Sequence, residues 1–396
     1  MIMPHLALLL PGGLGEVDSG IHIPRIFELV RRLSDRFSIT AYSHSLPGRA
    51  PKTMSCGKAT VRFLRTTAED SALWRGGTFL SALTRDHMEK PFDLIHGMWG
   101  LPFGLYAVLA GKTIGVPSIV SLLGGETANI PEIGYGHMRR QPERSLIRWT
   151  CRHADALTTL SRYQLRQLNH YGVVRDDCEV IPPGVDCSLF PYSHKKTATP
   201  PYHFLHIGDL NKVKHQETLL RAFSIVASHG DAVLRIVGRD HLDGRLQRLA
   251  GDLHLDEKVE FRGFVSHSDI PAQLAWADVL LHSSLHEGGG TAVVEAMASG
   301  VVVCGTAVGV LSDLRDDCCL AVPPGASERL GTEILELMND KARLSTLRTA
   351  AHEWASRNDV SRVVQKYSGL YKRLLSGGPA PVADHVRREM VTPDVQ

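Results

Sequence analysis

Two glutamates stand around three consecutive glycines in HEGGGTAVVEAMASG, residues 286–300, with Glu287 before the run and Glu295 eight positions later. The preceding ADVLLHSS has the apolar character of a strand and TAVVEAMAS the alanine-rich character of a helix, so the glycines fall on a strand-to-helix turn. Open α/β sheets bind ligands at such turns. Gly288, Gly289 and Gly290 lack a Cβ and let a ligand approach the backbone. The unpaired N–H groups of the first helical turn, near Gly289, Gly290 and Thr291, offer partial positive charge to a phosphate. A carboxylate beside phosphate is repelled, so Glu287 suits the hydroxyls of a neutral group attached to it. Glu295, one turn inside the helix, suits two vicinal hydroxyls such as those of ribose. The segment reads as a phosphate cradle between two polyol hooks, or as a tight turn with two surface carboxylates.

A diphosphate leaving group needs a full cation as well as backbone dipoles. HIGDLNKVKHQETLLRAF supplies Lys212 and Lys214 after an apolar run, either as solvent-exposed charges or as stabilisers of negative charge developing on a phosphate oxygen. In PGGLGEVDSGIHIPRIFELVRRL a second glycine turn leads into a helix. Its buried stripe is Ile23, Ile26, Phe27, Val30 and Leu33, with Pro24 suited to the first turn. Glu16, Asp18 and His22 lie beside that turn and are candidates to meet an acceptor. His96 and Trp99 end FDLIHGMW, where His96 reads as a packed core residue.

These turns need sheets behind them. Val-, Ile- and Leu-rich runs bounded by Gly or Pro recur along the chain: LALLL, FSITAY, FDLIH, PSIVSLL, DALTTL and EVIPPG, then YHFLHIG, AVLRIVG, VEFRG, ADVLLHS, GVVVCG and CLAVPPG. Amphipathic segments separate them, the pattern of parallel strands with helical crossovers. Each half would build a doubly wound α/β sheet, giving two Rossmann-like domains facing across a cleft. The boundaries expected are 1–190, a linker at 191–201 where Pro, Thr, Ser and Lys replace apolar periodicity, 202–375, and a flexible tail at 376–396.

The 396 residues exceed one comfortable core. A formal charge of +2 excludes a strongly basic nucleic-acid binder. Seven scattered cysteines without a Cys-x-x-Cys pair suggest neither a disulfide framework nor a zinc site, and a reducing cytoplasm fits. No stretch reaches transmembrane length. In RRQPERSLIRWTCRH, Arg140, Arg144, Arg148 and Arg152 recur every four positions along one helix face. That face is either a solvated surface or one that meets anionic lipid at the inner side of a membrane or a phosphorylated acceptor.

The ordered pieces resemble the GT-B fold glycosyltransferases of the retaining family 4 type. LHEGGGTAVVEAMASGVVVCGTAVG is similar to that family's E-G-F-G-x-x-x-x-E-A-M-A-x-G-x-P-V signature, with Glu287 and Glu295 on its glutamates. GDLNKVKHQETLLRAF resembles its first C-domain turn and sets Lys214 on the phosphate-binding lysine. The resemblance runs from Leu6 to about Leu375. It implies a nucleotide sugar, UDP-linked by prior, held mainly by the C-terminal domain, an acceptor glycan or lipid-linked saccharide held mainly by the N-terminal one, and transfer with retention. It also sets Ser19 and Gly20 where the family's glycine loop faces the donor phosphates, and Glu126 of SLLGGETANI on an acidic position after the glycines. Three departures stand out: Asp209 in place of a basic residue, Gly289 in place of the aromatic, and Leu123 in place of a histidine. Asp-x-Asp, the metal-holding pair of the other large glycosyltransferase fold, does not occur, so lysine and helix N-termini are expected to replace a divalent ion, with no cofactor. A catalytically impaired nucleotide-sugar-binding subunit is the alternative.

Overall fold

The computed structural model describes residues 3–12, 14, 23–44, 53–66, 70–192 and 200–377. They form two compact units. One holds the residues up to Leu160, Gln164–Ile181 and the stretch from Val363; the other holds Ser161–Tyr163 and Pro182–Arg362. Most of the expected linker, 193–199, and of the expected tail, 378–396, lies outside the described residues, as do Glu16, Asp18, Ser19, Gly20 and His22.

The first unit contains strands β1 (His5–Leu9), β2 (Ser38–His44), β3 (Thr53–Cys56), β4 (Ala59–Leu64), β5 (Leu94–Met98), β6 (Ser118–Leu122), β7 (Ala156–Thr159) and β8 (Glu179–Val180). Their order across the sheet is β3-β4-β2-β1-β5-β6-β7-β8. Every neighbouring pair is parallel except the β3–β4 hairpin. The helix Pro24–Leu33 begins on its proline and buries Ile26, Leu29, Val30 and Leu33, the stripe that the sequence spacing predicts apart from Leu29, with Phe27 half-buried. The last helix, Val360–Leu375, returns to this unit from Val363 onward. There Tyr371 Oη lies 2.8 Å from Nδ1 of the fully buried His96, and His96 Nε2 lies 2.8 Å from Ser121 Oγ. His96 is a core residue, and burial pushes its pKa down to about 3.

The second unit contains β9 (Tyr202–Ile207), β10 (Ala232–Val237), β11 (Val259–Gly263), β12 (Val279–His282), β13 (Val302–Thr306) and β14 (Leu320–Val322). The order is β11-β10-β9-β12-β13-β14, all parallel. Successive strand residues alternate between two apolar layers. Phe204, Leu281 and Cys304 join one layer with Phe223 and Ile334, while Leu205, Leu280 and Val303 join the other with Val293 and Met297. Helices therefore cover both faces, which is why the central strand β12 and its neighbour β13 are almost wholly apolar and buried, while the edge strand β11, VEFRG, keeps exposed polar residues. Each Leu or Phe fully buried this way contributes about 1.5–3 kcal/mol.

Strand order also fixes where a ligand can bind. From β9 the chain crosses to β10 on one side, and from β12 it crosses to β13 on the other. The loops at the carboxyl ends of β9 and β12 therefore part at the topological switch point of the sheet. Nearby, Gly238 must be glycine, because a Cβ there would come within 2.1 Å of Gly208 O in the β9 loop.

Both units are doubly wound parallel sheets. The described cysteines are all free thiols. Among the described residues no helix is long and apolar enough to cross a membrane.

Candidate functional site

Lys214 and Glu287 come from the two loops at that switch point, and the fold ties the loops to each other. Leu285 N donates to Val213 O at 2.8 Å, and Ser283 Oγ donates to Lys214 O at 2.8 Å. Lys214 N donates to Asn211 Oδ1 at 3.0 Å, so both ends of the lysine's peptide are fixed. His215, next in the chain, takes φ +48° and turns the backbone into the helix Gln216–His229. On the other loop, Thr306 Oγ1 donates to Ser284 O at 2.6 Å, and Val310 N donates to Gly289 O at 3.1 Å.

The result is an ion pair, with Lys214 Nζ 2.5 Å from Glu287 Oε1. The side chains are 26% and 16% exposed, so solvent screens the pair weakly. Ser284 Oγ donates to the same carboxylate oxygen at 2.8 Å, and His282 Nε2 lies 3.4 Å from it. Burial alone would raise the Glu287 pKa. The Lys214 charge and the His282 and Lys214 hydrogen bonds outweigh that and hold the carboxyl well below its usual range. Glu287 is thus ionised and fixed through Oε1, while Oε2 makes no hydrogen bond with any described residue.

His206, in the buried stretch of β9, is 1% exposed. Its Nδ1 faces Leu281 O at 2.9 Å and its Nε2 faces Gln216 Nε2 at 3.1 Å. The ring therefore donates through Nδ1–H and accepts at Nε2. Burial pushes its pKa down to about 3.

Gly290 takes φ +95°, a left-handed conformation that other residues rarely adopt, and begins the helix Thr291–Ala298. Gly288 and Gly289 are buried, and Gly288 O accepts from Ser161 Oγ at 2.6 Å. Thr291 and the residues after it present the first-turn N–H groups beside Glu287 in the chain. Glu295 is 6% exposed and accepts at Oε1 from His267 Nε2, 2.8 Å away, on the turn after β11. Its Oε2 also makes no hydrogen bond with any described residue.

Sequence reasoning brings Lys214, Glu287, the glycines, Thr291 and Glu295 to one end of one sheet, where the structure places them. Glu126 stands elsewhere, in the first unit. It is 1% exposed and its two oxygens accept from Gly100 N at 3.1 Å, Leu123 N at 3.0 Å and Gly124 N at 2.6 Å. A carboxylate so occupied pins the loops after β5 and β6. Lys212 is exposed. Asp209 accepts from Arg239 N at 3.0 Å and stands 3.4 Å from His241 Nε2, so it joins the β9 loop to the β10 loop.

The arginine row is only partly a free surface. Arg144 donates to Met138 O at 2.7 Å and Arg152 to Gly172 O at 2.5 Å, while Arg140 stays 63% exposed with Glu143 at 3.6 Å. Arg148 has a buried Nε without a partner among the described residues. The residues missed by the sequence reading are His282, Ser284 and His267. A histidine closing the apolar run ADVLLH was the available signal for the first.

Residues 193–354 match the family model described as Glycosyl transferases group 1, and residues 22–184 the one described as Glycosyl transferase 4-like domain. The N-acetyl-alpha-D-glucosaminyl L-malate synthase of Bacillus anthracis is 23% identical over 365 residues, covering 88% of this chain and 92% of that protein. Sucrose-phosphate synthase from Thermosynechococcus elongatus is similar in fold with a TM-score of 0.79 at 18% identity, over 95% of this chain and 100% of that one. The Anabaena protein HepE in complex with UDP and glucose gives 0.72 at 18% identity, over 94% and 100%. Two consecutive family models spanning most of the sequence, on two parallel α/β sheets of this order, lead to one conclusion: the chain belongs to the GT-B fold glycosyltransferases of the family 4 type.

Proposed function

We propose that this glycosyltransferase moves a sugar from a nucleoside diphosphate, UDP in the first instance, to a hydroxyl of a glycan or lipid-linked saccharide, with retention and without a metal ion. The observation that carries the reading is the pairing of Lys214 with Glu287 on two stapled loops at the switch point of the second sheet, next to the N-terminus of the helix Thr291–Ala298. The ammonium and the helix N–H groups stabilise negative charge on the departing diphosphate, doing what a divalent ion does elsewhere. Glu287 Oε2 and Glu295 Oε2 accept hydroxyls of the transferred sugar and of the ribose respectively. Retention follows from transfer on one face. The bond from the anomeric carbon to the diphosphate oxygen breaks, and the acceptor oxygen bonds to that carbon from the same side. Its proton passes to the departing phosphate oxygen, so no protein base is needed.

HepE's complex with UDP supports offering UDP-glucose first. Contact with anionic lipid through Arg140, Arg144, Arg148 and Arg152 is supported by their spacing, although Arg144 and Arg152 spend hydrogen bonds on backbone carbonyls.

The test is nucleotide release from UDP-glucose, GDP-mannose and ADP-glucose with a panel of hydroxyl acceptors, with and without EDTA, for the wild type and Glu287→Gln. The expected result is release from one donor that EDTA leaves intact and Glu287→Gln abolishes. Nucleotide binding without release from any donor would instead identify a non-catalytic binding subunit.

A further inference from the structure

We propose that His282 is a positioning residue for this transfer: its Nε2–H holds the Glu287 carboxylate at Oε1, so that Oε2 is the oxygen presented to the donor sugar. The inference rests on the reading of Glu287 given above and assigns the group that orients it.

His282 is the last residue of β12, and the three strand residues before it, Val279, Leu280 and Leu281, are apolar and buried. A histidine at such a place, 3% exposed, costs desolvation of two ring nitrogens that another Leu or Val would not. The fold nevertheless makes room for it. Gly305 is its partner on β13, and a Cβ there would lie 2.0 Å from His282 O and 3.0 Å from His282 Cβ.

Nε2 faces two oxygens, Ser284 Oγ at 3.3 Å and Glu287 Oε1 at 3.4 Å. Ser284 gives its own proton to Glu287 Oε1, so in the Ser284–His282 hydrogen bond Nε2 is the donor, and Nε2 stands 3.4 Å from Glu287 Oε1 as well. Nδ1 is buried and has no hydrogen-bond partner among the described residues. With the proton on Nε2, Nδ1 is a bare acceptor, cheaper to leave unpaired than a buried N–H donor. Geometry therefore places a proton on Nε2.

Around Oε1 there are then two hydrogen-bond donors, Lys214 Nζ and Ser284 Oγ, for about two lone-pair directions, with His282 Nε2 3.4 Å away and bonded to the Ser284 hydroxyl. Oε1 is saturated and the carboxylate cannot rotate without breaking several bonds at once. The titratable groups that face this cluster are Lys214 from the β9 loop, His206 from β9 and Glu287 itself, with His286 beside it in the same loop and Tyr163 Oη 3.4 Å from His286 Nδ1.

The test uses the full chain with UDP-glucose as the probe and compares His282→Leu, His282→Gln and Glu287→Gln. Losing the donor is expected to lower kcat/KM about tenfold in His282→Leu, mostly through kcat. It also raises the carboxyl pKa, moving the acid limb of kcat/KM upward by about one pH unit. The Gln amide can reach where Nε2–H stands, so His282→Gln should recover most of both. Independently of turnover, 15N spectra of histidine-labelled protein should show His282 as the Nε2–H tautomer, with a resonance that shifts in Glu287→Gln. A wild-type acid limb in His282→Leu, a Gln variant no better than Leu, or an Nδ1–H tautomer would each overturn the assignment. Full turnover in Glu287→Gln would refute the reading of Glu287 instead, and the tautomer measurement would still judge His282.

Discussion

Replacing Lys214 by Met keeps the length of the side chain and removes its charge, which separates two jobs that the Lys214–Glu287 pair does at once. The first is structural. Removing one partner of a fully buried pair costs about 3–5 kcal/mol, and an exposed pair is worth about 0–1 kcal/mol. With side chains 26% and 16% exposed, this pair falls between, so Lys214→Met should destabilise the second unit by about 2–3 kcal/mol. For a unit of this size that is a fall in Tm of roughly 4–12 °C. The second job is chemical. Taking away a cation aimed at a departing diphosphate should cost about 10²–10³ in kcat, the range seen when a preorganised donor to developing charge is lost. The double variant Lys214→Met with Glu287→Gln distinguishes the two jobs. It removes both charges, leaves no buried carboxylate unpaired, and should return to within about 1 kcal/mol of the wild-type stability. Its turnover should stay as low as that of the single variants. Differential scanning calorimetry and nucleotide release from UDP-glucose measure the two quantities on the same preparations. The reasoning is refuted if the double variant is destabilised by the sum of the two single effects, because the charges would then not be coupled. It is refuted equally if Lys214→Met keeps wild-type kcat.

Two further outcomes are expected. His267→Ala removes the donor that holds Glu295 Oε1 at 2.8 Å; UDP affinity measured by titration calorimetry should fall about five- to tenfold with kcat unchanged, and unaltered affinity would separate Glu295 from the ribose. His96, with a folded pKa of about 3 against 6.5 when unfolded, contributes stability that is fully present above pH 6.5 and is lost as the pH falls from there toward 3. At pH 5 the loss is about 2 kcal/mol, and urea unfolding of His96→Gln should show a correspondingly flatter dependence between pH 7.5 and 5.

Twelve of the fourteen strands were legible because most parallel strands of a covered sheet are written as apolar runs; β8 and the edge strand β11 were found although they are only partly buried. The β3–β4 hairpin was not, because TMSC and ATVRFL form the edge of the sheet, where only alternate residues are buried. The place of Glu287 and the glycine turn was legible from the strand before them and the helix after them, whereas Lys214 was singled out by the family resemblance. What was not legible is pairing across sequence. Lys214 meets Glu287, 73 positions away, and His267 meets Glu295, 28 positions away, only because β9, β11 and β12 end on the same side of one sheet. Glu126 lies in the first unit. Its carboxylate takes backbone N–H groups from Gly124, Leu123 and Gly100, a local arrangement that residue type and spacing did not foretell.

The departures from the family pattern can now be given physical meaning. A basic residue at position 209 would have added a second cation; Asp209 instead accepts from the backbone of Arg239 and so fastens the loop after β9 to the loop after β10. Gly238, unable to bear a Cβ against Gly208 O, keeps those loops in contact. The effect is to exchange charge for rigidity. Of the two lysines offered by the sequence, Lys212 is exposed, whereas Lys214 has its N–H held by Asn211, its carbonyl held by Ser283 and its ammonium held by Glu287. On the proposed reading, a cation fixed at three points needs little reorganisation when negative charge develops beside it. The exchange also explains why Glu287 must be both ionised and anchored. If the carboxylate turned, it would carry the ammonium with it, so the donors on Oε1 from Ser284 and His282 position Lys214 as much as they position Glu287.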